Sequence, residues 1–241
     1  MNLLKKIIKF FKLLTHSLWR RGLYNGIAAT VELESIIKGI NSSPETIIDI
    51  GSNKGQFVML IEQLFPNKII HSFEPLVDPL TIQKKFFNYK KNIFFYNFAL
   101  GSHRSIKEFF ITNRMDSSSF FKVDTDKIKN DIFKIQDQKN IQIKTLDEVM
   151  DDKKILEPIL IKIDVQGFEL EVLKGAEKIL AKTNYLILEV SETEIYQNQP
   201  LSSEIITFLE DRNFKILNQT SKTKNNLSNS LQGDVLFHKK I

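Results

Sequence analysis

Two stretches of this 241-residue chain share a pattern that leaves few folds open. Ile47 to Phe57 and Ile161 to Ala176 each run from an apolar, β-branched segment through an acid, Asp49 or Asp164, into a glycine turn and then a helical pattern. That is the strand-to-helix unit of a parallel sheet. The alternation continues around both: strand 46–50, helix 54–65, strand 69–74, helix 77–90 and strand 92–99, then strand 159–163, a helix from Gly167 through 181, and strand 185–190. Parallel strands joined this way need right-handed crossovers, and their ligands bind at the carboxyl ends of the strands, near the switch in strand order. The class expected is α/β, a mainly parallel sheet with helices on both faces.

The remaining segments arrange themselves around that frame. Residues 100–157 are polar and irregular, with strands expected at 107–112 and 140–145 and a helix starting at Leu146; they read as an insertion, not a linker. Residues 201–213 read as a helix, and strands near 214–219 and 234–238, joined by the polar loop Thr220 to Gln232, as a terminal hairpin. With no internal repeat or Gly/Ser linker, residues 46–241 form one domain and residues 1–45 a helical arm.

Charge is concentrated in that arm. Residues 1–31 carry Lys5, Lys6, Lys9, Lys12, Arg20 and Arg21 and no acid, which leaves 28 basic against 29 acidic residues elsewhere. A body so balanced argues against a basic face for reading nucleic acid spread over the fold. Leu3, Leu4, Ile7, Ile8, Phe11, Leu14 and Leu18 recur at helical spacing with Lys5, Lys9 and Lys12 on the other side, an amphipathic helix with a cationic face. The lysines interrupt the apolar stretch a cleavable signal would need. Two readings stay open: packing on the domain or a second subunit, or peripheral contact with an anionic membrane surface. Trp19 suits an interface and equally suits a core.

The absence of cysteine excludes a disulfide framework, a thiolate nucleophile and Cys-based zinc or iron–sulfur sites, and makes the cytoplasm the default compartment. Apolar runs of about four residues are far below the roughly 18 to 20 of a membrane span.

The first glycine turn carries a ligand hypothesis. Gly51 permits close backbone approach, and Asp49 at the strand end can hold a cationic or hydroxyl-bearing group. Glu74, in Phe73-Glu74-Pro75, follows Gly51 by 23 positions, the offset at which an acid can accept both ribose hydroxyls of an adenosine; alternatively it is an ordinary solvated carboxylate before a proline. A dinucleotide site would want G-x-G-x-x-G, whereas the spacing here is G-x-x-x-G. Asp49 would repel a diphosphate but suits the ammonium and sulfonium of S-adenosylmethionine, although Lys54 could serve a phosphate.

The second turn, Ile161-Lys162-Ile163-Asp164-Val165-Gln166-Gly167-Phe168-Glu169, together with Asp49 to Phe57 and Phe73-Glu74-Pro75, resembles the FkbM family of S-adenosylmethionine-dependent methyltransferases. The likeness covers residues 46–192 and the Gly233-Asp234-Val235-Leu236-Phe237 strand. It implies a Rossmann-like class I fold: a seven-stranded, mainly parallel sheet whose last strand is antiparallel. It also implies methyl transfer to a hydroxyl of a sugar, polyketide or similar acceptor. By motif position, Asp49 and Gly51 would line the methionine end of the cofactor, Asn53 and Gly55 the glycine loop, Glu74 the ribose, and Phe98 and Ala99 the adenine.

A hydroxyl acceptor must lose a proton, and His16, His71, His103 and His238 fall in no motif. The candidate base is Asp164, with Glu189 at the neighbouring strand end as its companion. Two such carboxylates could hold Mg²⁺, although no metal ligand is assigned; Asp164 could instead cap the helix that follows. Asp116 to Phe121, serines beside aromatics, offers chemistry for gripping a sugar or closing a lid. The leading expectation is a sugar or glycan O-methyltransferase of undetermined oligomeric state. The alternatives are an NAD(P)-dependent oxidoreductase and a membrane-docked binding module without turnover.

Overall fold

The computed structural model of the protein describes residues 3–124, 131–220, 223–224 and 231–239. The chain begins with α1 (Leu3–Leu13), α2 (Ser17–Tyr24) and α3 (Glu34–Ile37), then alternates β1 (Thr46–Ile50), α4 (Gln56–Leu64), β2 (Ile69–Phe73), α5 (Val77–Phe86) and β3 (Ile93–Tyr96). β4 (Ala99–Leu100), β5 (Ser105–Thr112) and β6 (Ile135–Lys144) follow, then α6 (Leu146–Met150), β7 (Ile159–Ile163), α7 (Glu169–Lys174), α8 (Glu177–Lys182) and β8 (Tyr185–Ser191). The last elements are α9 (Ser202–Glu210), β9 (Phe214–Gln219), β10 (Thr223–Lys224) and β11 (Leu231–Lys239).

Seven strands lie in the order β9-β11-β8-β7-β1-β2-β3, with the two-residue β10 also paired to β11. The pairs β7–β8, β7–β1, β1–β2 and β2–β3 are parallel, whereas β11 runs antiparallel to both β8 and β9. This is the mainly parallel, seven-stranded Rossmann-like sheet with an antiparallel last strand that the motifs implied. The strand order reverses between β1 and β7, so the crevice opens above Ile50 and Ile163. Both central strands are buried throughout, as a sheet covered on two faces requires.

One face packs Ile48, Ile50, Ile161 and Ile163 against α6 to α9 and the insertion. The other packs Ile47 and Leu160 against α4 and against Leu13, Trp19, Ile27, Ile36 and Ile37. Trp19 is thus a core residue, fully buried with its indole N–H donating to the Met59 carbonyl (3.4 Å). The expected continuous helix through Leu18 breaks between Leu13 and Ser17. No helix among the described residues is long and apolar enough to cross a membrane.

Three boundaries differ from expectation for visible reasons. Strand 92–99 divides because Asn97 Nδ2 donates to the carbonyls of Glu74 (3.0 Å) and Pro75 (2.9 Å); the chain turns off the main sheet, and Ala99–Leu100 joins β6 instead. The helix expected over 167–181 is two helices: α8 restarts where Asp147 of α6 accepts from the Lys178 and Ile179 amides (2.9 and 3.0 Å). The expected strands at 107–112 and 140–145 are longer, pairing antiparallel as β5 and β6. Of the expected loop Thr220 to Gln232, residues 221–222 and 225–230 lie outside the described residues.

Candidate active site

A cavity of about 510 Å³ lies over the carboxyl ends of β1, β2, β7 and β8. Asp49, Gly51, Asn53, Glu74, Phe98, Ala99, Asp164 and Glu189 all line it, so eight of the nine expected site residues converge. Gly55 does not line it. It opens α4 in the left-handed conformation, and a Cβ there would fall 2.8 Å from Gln83 Cγ, so its place is in seating α5 against the loop. Gly51 has φ +80°, and a Cβ would approach the Asp164 carbonyl oxygen to 1.9 Å. Only glycine lets the turns after β1 and β7 close on each other there.

Asp49 is fully buried and neither carboxylate oxygen has a hydrogen-bond partner. Burial pushes its carboxyl up to about 7, against the pull of Lys162. Such a group is costly to leave unpaired and is ready to receive a cation. Glu74, 6% exposed, is not the solvated carboxylate of the simpler reading. Its two oxygens accept from the amides of Asn53 and Leu76, both at 2.8 Å, which fixes the carboxylate at the cavity edge with lone pairs to spare. Burial raises it also to about 7. Asn53 Oδ1 is a further buried acceptor without a partner.

The second turn is a network. Asp164 accepts from Lys162 Nζ (3.0 Å) and from Gln166 Nε2 (2.8 Å), and the same Gln166 amide reaches Glu189 at 3.1 Å. Burial pushes Asp164 up, but the Lys162 ammonium outweighs it and holds this carboxyl below its ordinary range. Glu189 is driven well above its own by burial and by the charge on Asp164. The two carboxyls are therefore pushed in opposite directions, Asp164 down by the ammonium beside it and Glu189 up by burial and its neighbour's charge. The two carboxylates considered for Mg²⁺ are instead joined through Gln166, beside an ammonium, and no group of three or more potential metal ligands occurs among the described residues.

Register explains the clustering. Lys162 lies opposite Asp49 across β7 and β1, and Asp234 opposite Glu189 across β11 and β8. Neither Lys162 nor Asp234 was singled out from the sequence. The available signal was a lysine inside an otherwise apolar strand, two residues before an acid. Gln83 was also missed: fully buried on α5, it donates to Ser52 Oγ and the Asn53 carbonyl, both at 3.0 Å, and steadies the first turn.

Two serines of the insertion, Ser117 and Ser118, line the cavity, and the run is also tied into the fold. Ser119 Oγ donates to the Gln166 carbonyl (2.6 Å), and Ser118 Oγ accepts from the Thr112 amide (3.2 Å). The Tyr196 hydroxyl sits between the Ser117 carbonyl and Gln166 Oε1, at 2.9 and 3.0 Å. The insertion therefore braces the second turn while Arg114, Met115, Asp116 and Phe120 form a wall of the cavity. The cavity is lined by seven acids, Asp49, Glu74, Asp164, Glu189, Asp234, Glu32 and Asp116, against three cations, Lys162, Lys9 and Arg114, and of the cations only Lys162 is buried. That sign suits a ligand with cationic and hydroxyl-bearing parts and opposes a diphosphate.

Comparison with known proteins points the same way. The profile of the methyltransferase FkbM domain matches residues 49–216. The hexuronic acid methyltransferase AglP of Haloferax volcanii is 32% identical over 96 residues, 36% of this chain and 40% of that protein. The structure of M. capricolum TrmK in complex with S-adenosylhomocysteine superposes with a TM-score of 0.51 at 14% identity, covering 88% of this chain and 69% of the other, a likeness of fold. The oxidoreductase alternative gives way to the family match.

Proposed function

We propose that this chain, which belongs to the FkbM methyltransferase family, transfers the methyl group of S-adenosylmethionine to a hydroxyl oxygen of a sugar or glycan. The unpartnered, buried Asp49 carboxylate beside the doubly anchored Glu74 supports the cofactor assignment. Asp49 would receive the ammonium of the methionine end, Gly51 and Asn53 would follow its backbone, Glu74 would accept from the ribose hydroxyls, and Phe98 and Ala99 would flank the adenine. When bound, the cofactor supplies an electrophilic methyl group on a sulfonium.

The observation that supports the O-transfer reading is the pair Asp164 and Glu189 in the cavity wall, joined by Gln166 Nε2 at 2.8 and 3.1 Å, with Lys162 Nζ 3.0 Å from Asp164 alone. An acceptor hydroxyl must give up its proton as its oxygen becomes the nucleophile, and Asp164, kept anionic by Lys162, takes that proton. Glu189, its carboxyl pushed up by burial and by the charge on Asp164, would hydrogen-bond a neighbouring oxygen of the acceptor and orient it. Gln166 fixes the spacing between the two. Orientation of this kind supplies much of the rate in a displacement that needs an in-line oxygen about 3 Å from carbon. The sugar class rests on the AglP similarity, which covers 40% of that protein. We take residues 46–241 as the catalytic domain, 100–157 as its acceptor-facing insertion and 1–45 as a helical segment attached to it.

Asp164→Asn tests the proposal. Transfer of a labelled methyl group to a glycan pool from the native cell should slow about 100-fold while S-adenosylhomocysteine affinity stays unchanged. Undiminished transfer by the variant would remove Asp164 from the chemistry. A native protein that binds the cofactor but methylates no glycan would favour the binding-module reading.

A further inference from the structure

Helix α1 is mounted the wrong way round for a soluble protein. Its polar side faces the protein: Lys9 Nζ pairs with Glu32 (2.9 Å), and Lys12 Nζ pairs with Glu34 (2.6 Å) and donates to the Val31 carbonyl (3.2 Å). Leu13, at the end of the helix, joins the core. Its apolar side faces out, with Leu4, Ile7, Ile8, Phe10 and Phe11 between 44% and 64% exposed. At about 100° per residue these five occupy a continuous arc roughly opposite Lys9 and Lys12. Surface helices ordinarily present the reverse arrangement. Turning this one over would bury its apolar arc only by breaking both ion pairs.

We propose that α1 docks the protein on an anionic membrane surface, its outward arc of Leu4, Ile7, Ile8, Phe10 and Phe11 entering the interface between headgroups and acyl chains. Charge selects lipid over a second copy of the chain. Lys9 and Lys12 are already paired with Glu32 and Glu34, which leaves Lys5, Lys6, Arg20 and Arg21 of residues 1–31 as the surplus positive charge, with Lys6 exposed beside the arc, so a facing copy would bring like charges together whereas anionic headgroups neutralise them. The placement has a functional corollary. Lys9 and Glu32, which tie α1 down, are also in the wall of the active-site cavity, so docking would hold the cavity mouth beside the membrane. An acceptor carried on a lipid would then meet the site without leaving the bilayer. The proposal goes beyond the methyl-transfer reading and does not depend on it.

Sedimentation of the full chain with vesicles tests it, using phosphatidylcholine alone and phosphatidylcholine with about 30% phosphatidylglycerol. The native protein should partition onto the anionic vesicles at least about tenfold more strongly than onto neutral ones, and less so as salt rises. Ile8→Ser with Phe11→Ser should lose about tenfold or more of that partitioning while its urea midpoint stays native, since both side chains are exposed. Native protein left in the supernatant with anionic vesicles would overturn the proposal, as would undiminished partitioning of the double variant. A native dimer that the double variant splits into monomers, with no vesicle binding, would assign the face to a second copy instead. Because the readout is partitioning, its failure would leave the methyl-transfer chemistry standing.

Discussion

Replacing Asp49 with Asn should make the cofactor-free protein more stable at pH 8 while destroying cofactor binding. The native carboxyl rises from its ordinary 3.8 to about 7 on folding, because burial strips its water and no hydrogen-bond donor replaces it. A carboxyl whose pKa is raised by folding opposes the folded state. The penalty is absent below about pH 4, grows as pH climbs from 4 to 7, and is constant above that. About three pKa units at about 1.4 kcal/mol each give a penalty near 4 kcal/mol at pH 8. Asparagine carries no charge but leaves a buried amide unpaired, which costs about 1–3 kcal/mol. The net gain is about 2 kcal/mol, or about 1 M in urea midpoint at a slope near 2 kcal/mol/M. At pH 5 the two proteins should unfold at nearly the same urea concentration. S-adenosylhomocysteine keeps the ammonium of its parent, so at about 100 times its dissociation constant it should restore about 2.7 kcal/mol to the native protein and nothing to the variant. Urea unfolding at pH 5 and pH 8, with and without the ligand, reads all four values. If the variant is the less stable at pH 8, or its midpoint tracks the native one between the two pH values, Asp49 is not an uncompensated anion and the reasoning fails.

Lys162→Met should move the acid limb of the methyl-transfer rate to higher pH, because Asp164 then loses the ammonium that keeps it ionised. The same change should cost about 3 kcal/mol at pH 8, the low end for a broken buried pair because a third of the Asp164 side chain is exposed. A lowered carboxyl pKa stabilises above its unfolded value and stops doing so as pH falls through its folded one, so urea midpoints of native and variant should draw together below about pH 4. Glu74→Ala removes a charged acceptor for two hydroxyls at about 1.5–3 kcal/mol each, and isothermal titration with S-adenosylhomocysteine should register a loss of at least about 100-fold. An affinity within threefold of native would place the ribose elsewhere.

The sheet and the first turn were legible in the sequence because each depends on local chemistry. Apolar β-branched runs mark buried strands, and Gly51 marks a turn that no side chain can enter. Glu74 was legible through spacing alone. What escaped was set by pairing between distant segments. Lys162 matters because register places it opposite Asp49, Gln83 because α5 brings it under Ser52, and the insertion serines because their hydroxyls reach the Gln166 turn. The outward arc of α1 was legible as amphipathic but not in its sense. The periodicity is the same whether the lysines or the leucines face the domain, and only Glu32 and Glu34, beyond the helix, decide it.

The cluster around Lys162 bears on a question the proposed chemistry raises: how one cavity can attract a cationic methyl donor and still keep the proposed base, Asp164, ionised. Acids alone would draw the donor but would push one another's pKa values up, as burial and the charge on Asp164 already do to Glu189. One buried ammonium breaks that symmetry. It sits 3.0 Å from Asp164 and makes no hydrogen bond to Asp49, so it fixes the charge on the first and leaves the second to the ligand. Moving the ammonium onto Asp49 would occupy the place proposed for the cofactor's own ammonium and raise Asp164, and both halves of the proposed chemistry would be lost together.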